Sequence, residues 1–113
     1  MNTIPYALRF WFDIVLVTPN KGVNRIKTRK FKLLEPLRVV PAIGVSVVIT
    51  PHQTPRRVQN VAYQIREGMW NVYLERMKFY TDLEHDRFNC SDLIETMLAD
   101  GWKEDLPSVE TEE

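Results

Sequence analysis

Apolar residues alternating from Tyr6 to Val17, a glycine-bearing hairpin signal at Arg66 to Met69 and one helical stripe after Tyr80 predict an α+β fold that is mainly β. The expected architecture is a small five-stranded antiparallel sheet, strongly bent or closed as a barrel, with one C-terminal amphipathic helix at about residues 90–101 packed on it.

The first strand is the clearest. Tyr6, Leu8, Phe10, Phe12, Ile14 and Leu16 occupy every even position, while Arg9 and Asp13 stand between them, the period of a half-buried strand. Trp11, Val15 and Val17 lie on the opposite face, which is therefore either partly covered or a sticky patch. Thr18 to Gly22 contains a proline and a glycine at turn spacing, so the chain reverses there.

A second strand spans Arg25 to Leu34. Ile26 has the opposite parity to Phe31 and Leu33, so a bulge or bend is expected between them. Pro36 and Pro41 mark an irregular connection, and a third strand is expected over Gly44 to Thr50 with Val45, Val47 and Ile49 on one face. The prolines of Pro51 to Pro55 make a loop.

For the hairpin, a four-residue loop Arg66 to Met69 would pair Ile65 with Trp70, Tyr63 with Val72 and Val61 with Leu74 on one face. Parity changes again near Arg76, because Met77 and Phe79 are odd-numbered, so a bulge or strand end belongs there. In the helix, Leu93, Ile94, Met97, Leu98 and Trp102 share a stripe. Ser91 or Asn89 can cap its start and Gly101 can stop it. Residues 103–113 are polar, contain Pro107 and end in acids, the composition of a disordered acidic tail beyond a single domain over 1–102.

This layout is similar to SH3-like small barrels in strand count and hairpin placement only, and such likeness carries no function.

Bulk composition narrows the chemistry. With 113 residues, 44% hydrophobic and 27% charged, the chain reads as one globular domain. A lone cysteine, Cys90, permits no intrachain disulfide, and Asp13 interrupts the early apolar stretch, so a cytoplasmic protein without a secretion leader is expected. The uncharged stretch from Val39 to Pro55 holds three prolines and His52, unsuited to a membrane helix.

Net charge is zero, yet residues 1–60 carry ten Lys or Arg against two acids, while residues 61–113 carry five against thirteen. Arg25, Lys27 and Arg29 alternate on one strand face, Lys30 and Lys32 follow, and Arg38, Arg56 and Arg57 add to them. Such a basic face, near aromatics such as Trp11 or Tyr73, could track a nucleic-acid backbone. The acidic half of the same chain competes for these cations, and edge-strand lysines also block aggregation, so an intramolecular role needs fewer assumptions.

No phosphate loop, nucleophile elbow or paired-cysteine zinc pattern is present, and no cofactor is implied. Asp82, Glu84, His85, Asp86 and Cys90 collect metal-type donors at a spacing that fits no ligand pattern, and a solvated linker explains them as well. The expected function is a non-enzymatic protein-interaction module, assembly subunit or inhibitor, self-association included, with Trp11, Val15 and Val17 as interface candidates. Nucleic-acid binding through the basic face is the alternative, and an unrecognised enzyme the third reading.

Overall fold

The computed structural model describes residues 6–50 and 55–112. Strands β1 (Tyr6–Asn20) and β2 (Val23–Leu37) form a long hairpin, followed by β3 (Ser46–Val47), β4 (Arg56–Gln64), β5 (Met69–Leu74), β6 (Met77–Tyr80), helix α1 (Glu84–Ala99) and β7 (Lys103–Glu112). The strands make an open mixed sheet in the order β3-β4-β5-β1-β2-β7, with β6 also on β1. This corrects the expected five-stranded antiparallel sheet or closed barrel: β5 and β6 run parallel to β1, and the marginal strands β3 and β7 stand at opposite ends of the strand order. A 61 Å long axis follows from the hairpin, since fifteen residues at about 3.3 Å each span about 50 Å.

Even-numbered β1 residues do what their period predicts. Leu8, Phe10, Phe12 and Ile14 are buried and join Phe31, Val58, Val72, Leu74, Phe79 and the helix residues Cys90, Leu93, Ile94 and Met97 in one core. Helix α1 therefore docks on the even face of the sheet. Tyr6, at the start of the strand, stays exposed.

Four local expectations are amended. The β1–β2 ladder runs through fifteen pairs from Tyr6↔Leu37 to Asn20↔Val23 without a shift, so β2 needs no bulge against β1; Ile26 simply sits on the odd face opposite Val17. The third strand shrinks to two residues, with Ile49 buried beyond it. Helix α1 begins at Glu84, not near residue 90, on Leu83 without a side-chain cap. The Asp86 carboxylate instead accepts the Tyr80 N–H at 2.9 Å, tying the first turn to the end of β6. Residues 103–113 were expected as a disordered tail, whereas 103–112 form β7, because β2 presents cations that complement its acids.

At its other end the helix stops where predicted. Gly101 adopts φ +101°, its N–H reaches Leu98 O at 3.3 Å, and the Trp102 N–H reaches Met97 O at 3.1 Å. That pair of bonds is the Schellman arrangement. It turns Trp102 into the core, where the indole N–H donates to Ile49 O at 3.1 Å, while Leu98 of the expected stripe is left exposed.

In the second hairpin the facing parity holds but the register is displaced by two residues: Tyr63 opposes Trp70, Val61 opposes Val72, and Ile65 leaves the ladder for the loop. The loop occupies Ile65 to Gly68, closed by Gly68 N–H to Gln64 O at 2.8 Å with Gly68 at φ +63°. The left-handed position falls on the last loop residue, and only glycine occupies it without strain. Gly68→Ala is expected to cost about 1 kcal/mol by this backbone conflict, measurable by urea denaturation with an unchanged slope.

The parity change at Arg76 is present. β5 pairs with β1 at an offset of 62 (Leu8↔Trp70) and β6 at 63 (Ile14↔Met77), so one extra residue is absorbed between them.

Candidate functional site

The odd face of the sheet, away from the helix, carries the first predicted group. Arg9, Trp11, Asp13, Val15 and Val17 all project there from β1, but not as a free surface. Val15 and Val17 are each 3% exposed, flanked in register by Thr28 and Lys78 and by Ile26 and Tyr80, so they are not available to a partner. Trp11 is half-buried and engaged. Its indole N–H donates to Asn71 Oδ1 at 2.9 Å, and the same oxygen accepts Arg9 Nε at 2.9 Å. Arg9 and Lys32 lie 5.3 and 5.9 Å from the Trp11 ring centroid, at cation–π range. Arg9 continues to Glu67 of the hairpin loop. Asn71, 1% exposed, is the residue that organises this network, and the available sequence signal was a lone amide among the apolar residues of Met69 to Leu74.

Asp13 is inset among these groups, and burial raises its carboxyl above the ordinary value against the opposing pull of Lys30 and Arg76.

The basic strand β2 is closed by β7. Arg29 makes a fork with Glu104 (Nε–Oε2 3.0 Å, Nη2–Oε1 2.7 Å), Lys32 reaches Asp105 at 3.2 Å, Arg25 lies 4.0 Å from Glu112, and Lys27 stands opposite Glu110 in register. The Arg29 hydrogen bond holds the Glu104 carboxyl below the usual carboxylate range, and the same bond raises Arg29. Lys30 stands opposite Asp13 in register. The charge asymmetry of the two halves thus becomes a seam between adjacent strands. Of the remaining cations, Arg56 meets Glu75 at 3.3 Å, whereas Arg57 and Arg38 are exposed and lie outside the β2–β7 seam.

A cleft of about 260 Å³ lies between the first half of α1 and the sheet, lined by Leu16, Phe79, Ile94, Arg29, Asp86 and Cys90 among others. Burial pushes the Cys90 thiol up, away from a reactive thiolate. Of the metal-type donors, Asp86 is committed to the Tyr80 N–H and His85 is exposed 3.7 Å from it; among the described residues no three His, Cys, Asp or Glu converge. His52 lies outside the described residues. No described helix is long and apolar enough to cross a membrane.

The surface that sequence reasoning passed over is the opposite margin of the sheet. Val39, Ile43, Val45 and Val48 are 72, 65, 47 and 60% exposed, within a stretch from Val39 to Pro55 that has no Lys, Arg, Asp or Glu. Val45 and Gly44 hydrogen-bond to Val58 of β4 on their inner side, so this segment is the sheet's outer margin. The missing charge was legible in the sequence; its place at an edge was not.

Comparison with protein-family models, curated proteins and solved structures finds no match in any of the three.

Proposed function

We propose that this chain is a non-enzymatic protein-interaction module, a subunit or inhibitor that meets its protein partner along the β3 margin. The observation that carries the reading is the uncharged edge with Val39, Ile43, Val45 and Val48 exposed along it. Sheet proteins ordinarily guard such edges with charged side chains such as lysine or with a covering element, and exposed apolar side chains on a segment without charge are what a protein contact uses. Nucleic-acid binding by β2 is less favoured, because β7 meets both the cations and the backbone ladder of that strand, whereas a phosphodiester chain would meet the cations alone. Catalysis in the helix cleft has less support still, since Arg29 is engaged by Glu104 and burial raises the Cys90 thiol, disfavouring the thiolate.

The test is recovery of a partner from lysate with and without nuclease, comparing the parent chain with Ile43→Lys/Val45→Lys. Both sites are exposed, so the fold should persist with little change in melting temperature, while nuclease-resistant recovery falls more than about tenfold, the equivalent of about 1.4 kcal/mol. Undiminished recovery by the double variant, or recovery of nucleic acid alone, overturns the reading.

A further inference from the structure

We infer that the outer edge of β2 is a docking edge for an acidic, extended segment of a partner protein, and that β7 is its exchangeable intramolecular occupant. This rests on a different edge from the apolar margin and stands independently of it.

Three observations carry the inference. First, none of the ten residues of β7 is buried, whereas β1, β4, β5, β6 and α1 each place side chains in the interior. Its attachment is a backbone ladder to β2 plus ion pairs, the kind of contact that water and salt compete for.

Second, the seam is divided. Between Thr28↔Val109 and Lys30↔Asp105, β2 advances two residues while β7 advances four, so Leu106 to Ser108 bow out and leave two short pairings, 103–105 and 109–112. Each half has its own charges: Arg29–Glu104 and Lys32–Asp105 in one, Arg25–Glu112 and Lys27 opposite Glu110 in the other. Each half is thus held to β2 by its own ladder pairs and charges.

Third, what β7 covers is specific in chemistry. With β7 away, β2 offers a row of N–H and C=O groups at strand pitch, flanked by Arg25, Lys27, Arg29 and Lys32. A peptide strand satisfies both the ladder and the charges, as in β-strand addition, and acidic side chains at alternate positions fit the cations. A phosphodiester chain satisfies only the charges, which is why a peptide is the chosen occupant.

The experiment uses the full chain and a fluorescent peptide with the sequence of residues 103–113. Because the tethered strand competes at high effective concentration, the parent should bind the peptide weakly, and Glu104→Gln/Asp105→Asn should bind it about tenfold tighter, with affinity falling as salt rises. In the unmodified parent, amide hydrogen exchange of β7 should accelerate between low and high salt while β1 amides stay protected, a readout that survives any misfolding of the variant. The inference is overturned by equal peptide affinity in parent and variant, by equal binding of a peptide whose acids are replaced by amides, by salt-independent exchange in β7, by self-association of the chain without peptide uptake, or by single-stranded RNA displacing the peptide from β2.

Discussion

Phe12→Ala is expected to lower the unfolding free energy by about 4 kcal/mol, within the range for deleting a fully buried phenylalanine ring. Phe12 has no exposed surface, stands opposite Phe31 in the β1–β2 ladder, and meets the Trp102 indole edge-on at 6.4 Å between centroids. It thus links three things that converge at one point: the central strand, the neighbouring strand and the turn that ends α1. The surroundings are pinned, since Trp102 is held by its bond to Ile49 O and Phe31 by a continuous ladder, so little collapse into the vacated space is available. Chemical denaturation followed by circular dichroism measures the loss. A decrease below about 1 kcal/mol would mean that the ring is not enclosed by well-packed neighbours.

The second large effect is electrostatic in origin. Asn71→Leu should cost about 3 kcal/mol, because it removes the acceptor shared by Arg9 Nε and Trp11 Nε1 and leaves two donors facing an apolar side chain. Leucine keeps the branching at Cγ but is bulkier than asparagine, so the loss combines two unmet donors with crowding at a site that is 1% exposed. Asn71→Asp keeps the acceptor oxygen for both donors and adds attraction to Arg9, offset by the cost of burying a carboxylate, so it should be more stable than the leucine variant. If leucine proves as stable as asparagine, the three residues do not form a network, and Trp11 becomes free for the interface role its parity first suggested.

Much of this molecule is readable over windows of a few residues. Period-two burial in β1 follows from the pleat alone, and Leu8, Phe10, Phe12 and Ile14 obey it. Gly101 stops α1 because the αL turn needs a residue without a side-chain clash, and the parity change near Arg76 announces the extra residue between β5 and β6. The start of α1 escaped such reading because Leu83 is no capping residue; the helix is anchored instead by Asp86 reaching back to β6.

The candidate sites show the same division. Opposite charge in the two halves was visible in composition, and so was the absence of charge from Val39 to Pro55. Whether Val15 and Val17 were surface or interior was not visible, because the deciding neighbours, Ile26, Thr28, Lys78 and Tyr80, come from strands far along the chain.

By itself the sequence determined the strand-rich class, the two faces of β1, the end of the helix and the separation of basic from acidic halves, all of which depend on side-chain order within a turn or a strand. Tertiary structure alone decided that β5 and β6 run parallel to β1, that the second hairpin pairs two residues away from its simplest register, and that acidic residues 103–112 become a strand on β2. The physical reason is that a strand's edge groups bond to any extended neighbour. Which neighbour arrives is settled by burial and charge summed over the whole sheet.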